Sequence, residues 1–211
     1  MDVLTAILTR RSEHRLTEPA PGPEEFAELL AVAATAPDHG QLRPWRWVLL
    51  RGEDRNALGE CLAANVDAGR AADTAAKPLR APLLATLIFQ PRLGHKVPEW
   101  EQLAAASLMS HTMMLLLHSR GYGSIWRTGA HADSPRVRAL LCVLPDERAL
   151  GWLYIGSPVH DRVPPPRTPQ DVAGKVSTLH REPAMGMLLC EPEPEHAAAG
   201  LRLGAADPGA A

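Results

Sequence analysis

The sequence predicts one mixed domain of helices and strands, followed by a tail without a core of its own. A chain of 211 residues suits one large domain better than two small ones. Residues 81–89 form a continuous apolar run with the length of a strand that is covered on both faces. Residues 103–119 have the pattern of a helix that is apolar all round. A buried strand and a buried helix together predict a sheet and helices that share one core.

The charge balance favours small-molecule partners. The formal net charge is −2, which lacks the electrostatic signature of a protein that binds nucleic acid or an anionic membrane. A local pair such as Arg10-Arg11 can still bind a single phosphate group. We therefore expect no nucleic-acid partner and no membrane partner.

The cysteines and the N-terminus predict a cytoplasmic protein. Cys61, Cys142 and Cys190 are odd in number and widely spaced, so we expect free thiols in a reducing compartment. Residues 1–11 lack the apolar block and cleavage site of a signal peptide. The longest apolar run, residues 103–117, is interrupted by serine, histidine and threonine, which favours a buried helix over a membrane span.

Helix signals dominate the first third of the chain. The first helix is expected from Asp2, as its cap, to Thr9, with an apolar stripe that anchors the arginine pair. That stripe consists of Val3, Leu4, Ile7 and Leu8. Pro23 opens a second helix. The core stripe expected for the second helix is Phe26, Leu29, Leu30 and Ala33.

A loop at residues 36–44 joins the second helix to a strand at residues 45–50. Pro37 and Gly40 stop the helix, and Pro44 favours an extended conformation for Arg43. The loop carries Asp38 and His39 and is constrained enough to present them to a ligand. Residues 54–76 follow with a helical composition.

In the second half of the domain, signals for helices again alternate with signals for strands. Gly121 is placed to end the long helix, and residues 122–126 predict a strand. Ser134-Pro135 opens a short helix to Leu141, and residues 150–155 predict a further strand. We therefore assign the domain to residues 1–163. Residues 164–211 form a Pro-rich extension, expected to be disordered from about residue 184.

Two clusters carry candidate chemistry. Arg10, Arg11 and Ser12 supply forked guanidinium groups and a hydroxyl, the donors that a terminal phosphate needs. The same arginines also suit an ordinary cationic helix end. The second cluster is Trp126-Arg127-Thr128, in which a permanent cation can stabilise the negative charge that a flavin gains on reduction. A surface arginine beside a packed tryptophan explains the second cluster equally well.

Other motifs exclude several enzyme classes. His39 suits an acid-base or hydrogen-bonding role, although a lone loop histidine often has neither. His111 and His118 lack the spacing and acidic or sulfur partners of a metal site, so no metal is expected. Residues 121–126 begin like a dinucleotide loop but follow a helix where that motif requires a strand. No nucleophile elbow or Walker loop is found.

Taken together, five motifs resemble the nitroreductase family of FMN-dependent enzymes, and within it the YdjA-like subgroup of small NAD(P)H nitroreductases. The similarity covers residues 1–158. The motifs recur in the family's order: Arg10-Arg11-Ser12, residues 36–46, His95-Lys96-Val97-Pro98 with Trp100-Glu101, Gly123 with Ile125-Trp126-Arg127, and residues 153–158. Thr35, Gly40 and the long tail depart from the subgroup's pattern.

The resemblance implies an α+β fold, with a central and mostly antiparallel sheet flanked by helices, and a homodimer with FMN at its interface. It implies a ping-pong transfer of hydride from NAD(P)H through FMN to a nitroaromatic, a quinone or a related metabolite. No side chain is then needed as a nucleophile or general base. The implied FMN-binding residues are Arg10, Arg11, Ser12, Thr35, His39, Trp126, Arg127 and Thr128. The implied contacts to NAD(P)H are Leu116, Leu117, His118, Ser119, Arg120 and Gly121.

Two alternatives stay open at this stage. The fold serves several flavin chemistries, so an FMN-dependent oxidase or desaturase of a pathway metabolite is the second hypothesis. The third is a flavin-binding partner protein whose redox site is idle.

Overall fold

The structure is a computed structural model that describes residues 1–159, 164–181 and 188–192. The chain divides into two compact units, Met1–Pro166 and Arg167–Ala211. The helices are α1 (Val3–Thr9), α2 (Pro23–Ala33), α3 (Glu53–Ala63), α4 (Ala68–Ala75), α5 (Glu99–Ser119) and α6 (Pro135–Leu140). The strands are β1 (Leu16–Thr17), β2 (Trp45–Leu50), β3 (Leu83–Phe89), β4 (Gly123–Arg127), β5 (Arg148–Pro158), β6 (Ser177–Arg181) and β7 (Leu188–Pro192). Among the described residues, no helix has the length and apolar content needed to cross a bilayer.

A five-stranded antiparallel sheet forms the centre of the first unit. Its order is β1-β5-β3-β2, and β4 also pairs with β5. All residues of β3 are buried, as the apolar run predicted. The mixed helix-and-strand domain with an antiparallel sheet is therefore confirmed.

Helices cover both faces of this sheet because the side chains of each strand alternate. On one face, Leu83, Ala85 and Leu87 of β3 pack with buried residues of α2 and α5. On the other face, Leu84 and Ile88 pack in a cluster with residues of α3 and α6. We refer to these as the α2/α5 face and the α3/α6 face.

Local sequence rules predict several helix ends correctly. The Asp2 carboxylate caps α1 by accepting the amide of Thr5 at 3.0 Å. Pro23 occupies the first turn of α2, and Gly121 follows α5 with φ +87°, a conformation that glycine adopts without strain. Helix α5 begins at Glu99, one turn before the predicted start, because its first turn is polar and lies outside the apolar pattern.

The helical stretch predicted for residues 54–76 is two helices, α3 and α4. Gly59 lies where they cross: a Cβ there would stand 2.2 Å from the carbonyl oxygen of Ala75. The glycine lowers helix propensity, but it also allows α4 to fold back closely onto α3.

The extended conformation expected for Arg43 is wrong. Arg43 has φ +46°. The carboxylate of Asp38 accepts the backbone amides of Arg43 at 2.7 Å and Leu42 at 3.2 Å. These hydrogen bonds hold a tight turn, which overrides the preference of a residue that precedes proline.

The second unit contains the antiparallel pair β6 and β7. The backbone of residues 188–192 is thus a paired strand inside the stretch expected to be disordered from about residue 184. The rest of that stretch lies outside the described residues, and its disorder stays a prediction.

Candidate functional site

The N-terminal arginine stretch runs beside β4. Ser12 forms a parallel bridge with Ser124, and the backbone amide of Glu13 donates to the carbonyl of Ser124 at 3.1 Å. Arg127 follows Ser124 by three residues, or about 10 Å along the strand. Although more than 100 residues separate them in the chain, the Arg10–Ser12 stretch therefore lies beside the start of the strand whose last residues are Trp126 and Arg127.

The guanidinium group of Arg11 is held by main-chain carbonyls. It donates to Leu8 at 2.7 Å, to Arg10 at 3.2 Å and to Pro165 at 2.5 Å. The first two carbonyls belong to the end of α1, which agrees with the helix-end interpretation. A guanidinium has five N–H donors, so these three bonds leave capacity for a ligand.

Trp126 and Arg127 point to opposite faces of the sheet, because adjacent residues of a strand alternate. The indole N–H of Trp126 donates to the carbonyl of Leu150 at 3.0 Å, and the ring packs against the α2/α5 face. The two side chains therefore cannot lie against the same side of one planar ligand. Thr128 follows the last residue of β4 and is exposed.

Arg127 is held in place by two neighbours. Its guanidinium carbon lies 5.7 Å from the ring centroid of Tyr154, and its Nη2 lies 2.9 Å from Nδ1 of His14. Because a guanidinium only donates, Nδ1 of His14 is the acceptor of this bond. Burial raises the pKa of the Tyr154 hydroxyl, so the ring beneath Arg127 stays neutral.

His39 lies at the other end of α5, and Thr35 lies in the turn that follows α2. Nδ1 of His39 is 2.7 Å from a carboxylate oxygen of Glu101, and both His39 and Thr35 are exposed. The hydroxyl of Thr35 donates to the carbonyl of Val32 at 2.8 Å.

The two ends of α5 thus carry different candidate groups. Near its C-terminal end, His118 lies 2.8 Å from the hydroxyl of Thr9, next to the arginine pair. Near its N-terminal end, Glu101 contacts His39. Residues 101 and 118 are about 25 Å apart along the helix. The structure aligns Arg10–Ser12 with the start of the strand that ends at Arg127, and it places His39 near the opposite end of α5.

The stretch expected to contact NAD(P)H is only partly accessible. Leu117 is fully buried, while Leu116 and His118 are half-buried. Ser119, Arg120 and Gly121 are exposed where α5 turns towards β4. Of the six residues, only the last three are exposed.

Helix α5 also exposes an apolar stripe. Trp100 is 69% exposed and Leu108 is 46% exposed. The stripe, which we call the outer stripe of α5, consists of Trp100, Ala104, Leu108, His111 and Leu115, spaced three or four apart. On neighbouring α1, Val3 is 73% and Ile7 47% exposed, so half of the expected apolar stripe of α1 faces solvent in the single chain, while Leu4 and Leu8 are half-buried.

These groups fit a phosphorylated flavin. The arginine pair and Ser12 provide the charged and neutral donors that bind a phosphate. Arg127 stands about 10 Å further along β4, where a cation can stabilise a reduced ring. The short distance between them suits a ligand with its phosphate and its ring at opposite ends.

Sequence reasoning missed three partners of these groups. His14 was not singled out, although it follows the arginine pair closely. Thr9 was named only as the last residue of the first helix. The role of Glu101 as the partner of His39 depends on a long-range contact that no local pattern shows.

Comparisons with known proteins place the chain in one family. The model of the nitroreductase family matches residues 7–157. An Escherichia coli K12 protein named "Putative NAD(P)H nitroreductase YdjA" is 36% identical over 163 residues, which cover 75% of this chain and 89% of that protein.

Two solved structures share the fold. The nitroreductase-like family protein from Bacillus cereus superposes with a TM-score of 0.73 at 24% identity, over 83% of this chain and 95% of its own. The FMN- and NADPH-dependent nitroreductase NfnB from a Sphigopyxis strain gives a TM-score of 0.64 at 22% identity, over 80% of this chain and 96% of its own.

Proposed function

The chain belongs to the nitroreductase family, and on that premise we propose that it is an FMN-dependent oxidoreductase. It takes electrons from NAD(P)H and delivers them to an electron-poor organic acceptor such as a nitroaromatic or a quinone. The observation that supports this proposal is the bridge between Ser12 and Ser124, because it aligns the donors of Arg10–Ser12 with the start of β4, about 10 Å along the strand from Arg127.

At the phosphate end, Arg10, Arg11 and Ser12 hold the FMN phosphate and the adjoining ribityl hydroxyls. Hydrogen bonds to an ionised group are shorter and stronger than neutral ones, and paired guanidinium groups also fix its orientation. The carbonyls of Leu8 and Pro165 support Arg11 in place, so less side-chain entropy is lost when the phosphate binds.

At the ring end, Arg127 is the electrostatic group. When bound, FMN supplies the redox chemistry, accepting a hydride from NAD(P)H and passing the electrons on. Arg127 favours the electron-rich form because its charge is permanent and His14 and Tyr154 hold it in position. The side chain of Trp126 faces the other side of the sheet, so Trp126 contributes its backbone to the site. Thr128 contributes from its position just after β4.

The site is completed by a second copy of the chain. The outer stripe of α5 and the exposed residues of α1 form an apolar surface that a homodimer would bury. Such a dimer lets Thr35 and His39 of one copy approach the flavin that the other copy holds through its arginine pair. This arrangement accounts for the position of the two groups at opposite ends of α5, whose residues 101 and 118 are about 25 Å apart.

The nicotinamide cofactor uses Ser119, Arg120 and Gly121 at the end of α5. These residues are exposed and lead directly into the start of β4, the strand that ends at Arg127. The cytoplasm is the compartment we propose, because it supplies NAD(P)H and keeps free thiols such as Cys61 and Cys142 reduced.

A visible spectrum of the purified protein tests this function. We expect a yellow protein, or one that turns yellow with FMN, whose flavin absorption bleaches when NADPH is added without oxygen. The colour should return when a quinone or nitroaromatic is added. If NADPH leaves the flavin oxidised but an organic substrate reduces it and oxygen restores the colour, the protein is an oxidase. A protein that stays colourless after incubation with FMN refutes the proposal.

A further inference from the structure

The hydrogen bond between His118 and Thr9 fixes the position of one proton. The hydroxyl of Thr9 already donates its only hydrogen to the carbonyl of Thr5, at 2.7 Å. The same oxygen lies 2.8 Å from Nε2 of His118, so it can only accept there. Nε2 of His118 therefore carries a hydrogen, and Nδ1 is the nitrogen that can gain or lose a proton.

The surroundings of His118 keep it neutral in the free protein. Burial lowers the pKa of His118, and the positive charges of Arg10 and Arg11 lower it further. Glu13 acts in the opposite direction. Arg120, two residues further along the same chain, adds another positive charge to this end of α5.

The groups that repel a proton from His118 are the two arginines that we assign to the FMN phosphate. A bound phosphate carries between one and two negative charges at neutral pH, which offsets the charge of the two guanidinium groups. The bond to Thr9 is compatible with both forms of the imidazole, because Nε2 donates whether or not Nδ1 is protonated. Protonation of Nδ1 therefore needs no rearrangement of α1 or α5.

We propose that His118 takes up a proton from solvent at Nδ1 when FMN binds, and so becomes the third positive group of the phosphate site. This inference rests on the proposed function, because it assumes that Arg10 and Arg11 bind the FMN phosphate. FMN binding is then coupled to pH, because one N–H bond forms at Nδ1 of His118 for each FMN phosphate that binds.

The consequence is that the contribution of His118 to FMN affinity grows as the pH falls through neutrality. The phosphate of FMN titrates in the same range, with a second pKa of about 6, and its loss of charge weakens binding at low pH. A variant that lacks only the titrating nitrogen separates the two effects. In His118→Gln the side-chain amide can still donate to Thr9 but cannot gain a proton at neutral pH.

The test is the dissociation constant of FMN for wild type and His118→Gln between pH 6 and pH 8. We divide the dissociation constant of His118→Gln by that of wild type. We expect this ratio to rise by about three- to tenfold from pH 8 to pH 6, which is the size of a partly exposed charge interaction. Riboflavin, which lacks the phosphate, should give a ratio that does not change with pH. A ratio for FMN that is constant over this range overturns the proposal, as does an equal change with riboflavin.

A second measurement covers the case in which the variant does not fold. Wild-type protein labelled at the histidine Cε1 positions is titrated by NMR with and without FMN, and the His118 signal is assigned through the backbone. We expect its midpoint to move to higher pH in the FMN complex, and an unchanged midpoint contradicts the proposal. If wild type does not bind FMN at all, the proposed function fails, and that outcome is distinct from either result.

Discussion

Ser12 and Ser124 are joined by a parallel bridge, which aligns the stretch after α1 with the first residues of β4. This contact determines which side chains can share a ligand. It places the arginine pair near one end of β4 and Arg127 near the other.

Replacing Arg11 by alanine should weaken FMN binding. A hydrogen bond to a charged group contributes about 1.5–3 kcal/mol, so we expect a rise of about ten- to a hundredfold in the dissociation constant. Fluorescence quenching of FMN gives this value. Arg70→Ala, which removes an exposed arginine from α4, is the control and should bind like wild type. An unchanged constant for Arg11→Ala would show that this arginine only caps α1.

A charge in the outer stripe of α5 should break the homodimer. Leu108→Glu puts a carboxylate into the surface that the second copy is proposed to cover, where an unpaired charge is strongly unfavourable. We expect a monomer by light scattering and the loss of tight FMN binding. Leu79, which is 47% exposed on the short turn after α4, offers a matched site, and Leu79→Glu should remain dimeric. If Leu108→Glu remains a dimer with normal flavin content, the outer stripe of α5 is not part of the dimer interface.

Glu147 should make the fold sensitive to acid. It is 4% exposed and accepts hydrogen bonds from Arg46, Gln90 and the backbone of Leu144. The Arg46 guanidinium, with the amides of Leu144 and Gln90, lowers the pKa of Glu147 from 4.5 to about 2. A carboxyl whose pKa is lower in the folded protein than in the unfolded chain stabilises the fold at pH values above its pKa in the unfolded chain. That stability is lost as the pH falls from 4.5 towards 2.

Glu147→Gln should therefore lower the free energy of unfolding by about 3 kcal/mol at pH 7, and the difference from wild type should shrink below pH 4.5. Urea unfolding at a series of pH values measures both. The control is Glu99→Gln, which breaks an exposed ion pair with Arg148 and should cost less than about 1 kcal/mol. Equal losses of unfolding free energy in the two variants would mean that burial of the Glu147–Arg46 pair adds nothing to stability.

Gly59 and Gly69 should respond in opposite ways to alanine. A Cβ at Gly59 meets the carbonyl of Ala75, so Gly59→Ala should destabilise the first unit by about 1–3 kcal/mol. Gly69 lies in α4 with open space around it, and Gly69→Ala should stabilise by about 0.4–1 kcal/mol. The thermal unfolding midpoint of each variant shows whether its substitution raises or lowers stability. A neutral Gly59→Ala would imply that α3 and α4 can move apart freely.

Local chemistry predicted the parts of this fold that depend on neighbouring residues. Asp2 caps α1, Pro23 opens α2 and Gly121 follows α5, because each effect acts within one helical turn. Arg43 was predicted wrongly because a carboxylate five residues away, on Asp38, holds its amide. Apolar periodicity could not reveal that Val3 is exposed, since the pattern does not say which surface covers a stripe.

The candidate site was less accessible to sequence reasoning. Either guanidinium cluster alone was explained equally well by an ordinary surface, and only family resemblance joined Arg11 to Arg127. Their proximity depends on the pairing of Ser12 with Ser124, a long-range contact without a local signal. The opposite directions of Trp126 and Arg127, by contrast, follow from strand alternation and could have been predicted.

The account depends on an FMN site shared between two copies of the chain, and a mixed dimer tests this most directly. Arg11→Ala and His39→Ala subunits, carrying different tags, are co-expressed, and the mixed dimer is isolated and titrated with FMN. Each variant alone should bind FMN weakly. In the mixed dimer, one site receives both substitutions and the other receives none, so we predict one FMN bound with wild-type affinity per dimer. If no site of wild-type affinity appears, each chain supplies its own Arg11 and His39, and the shared site is contradicted.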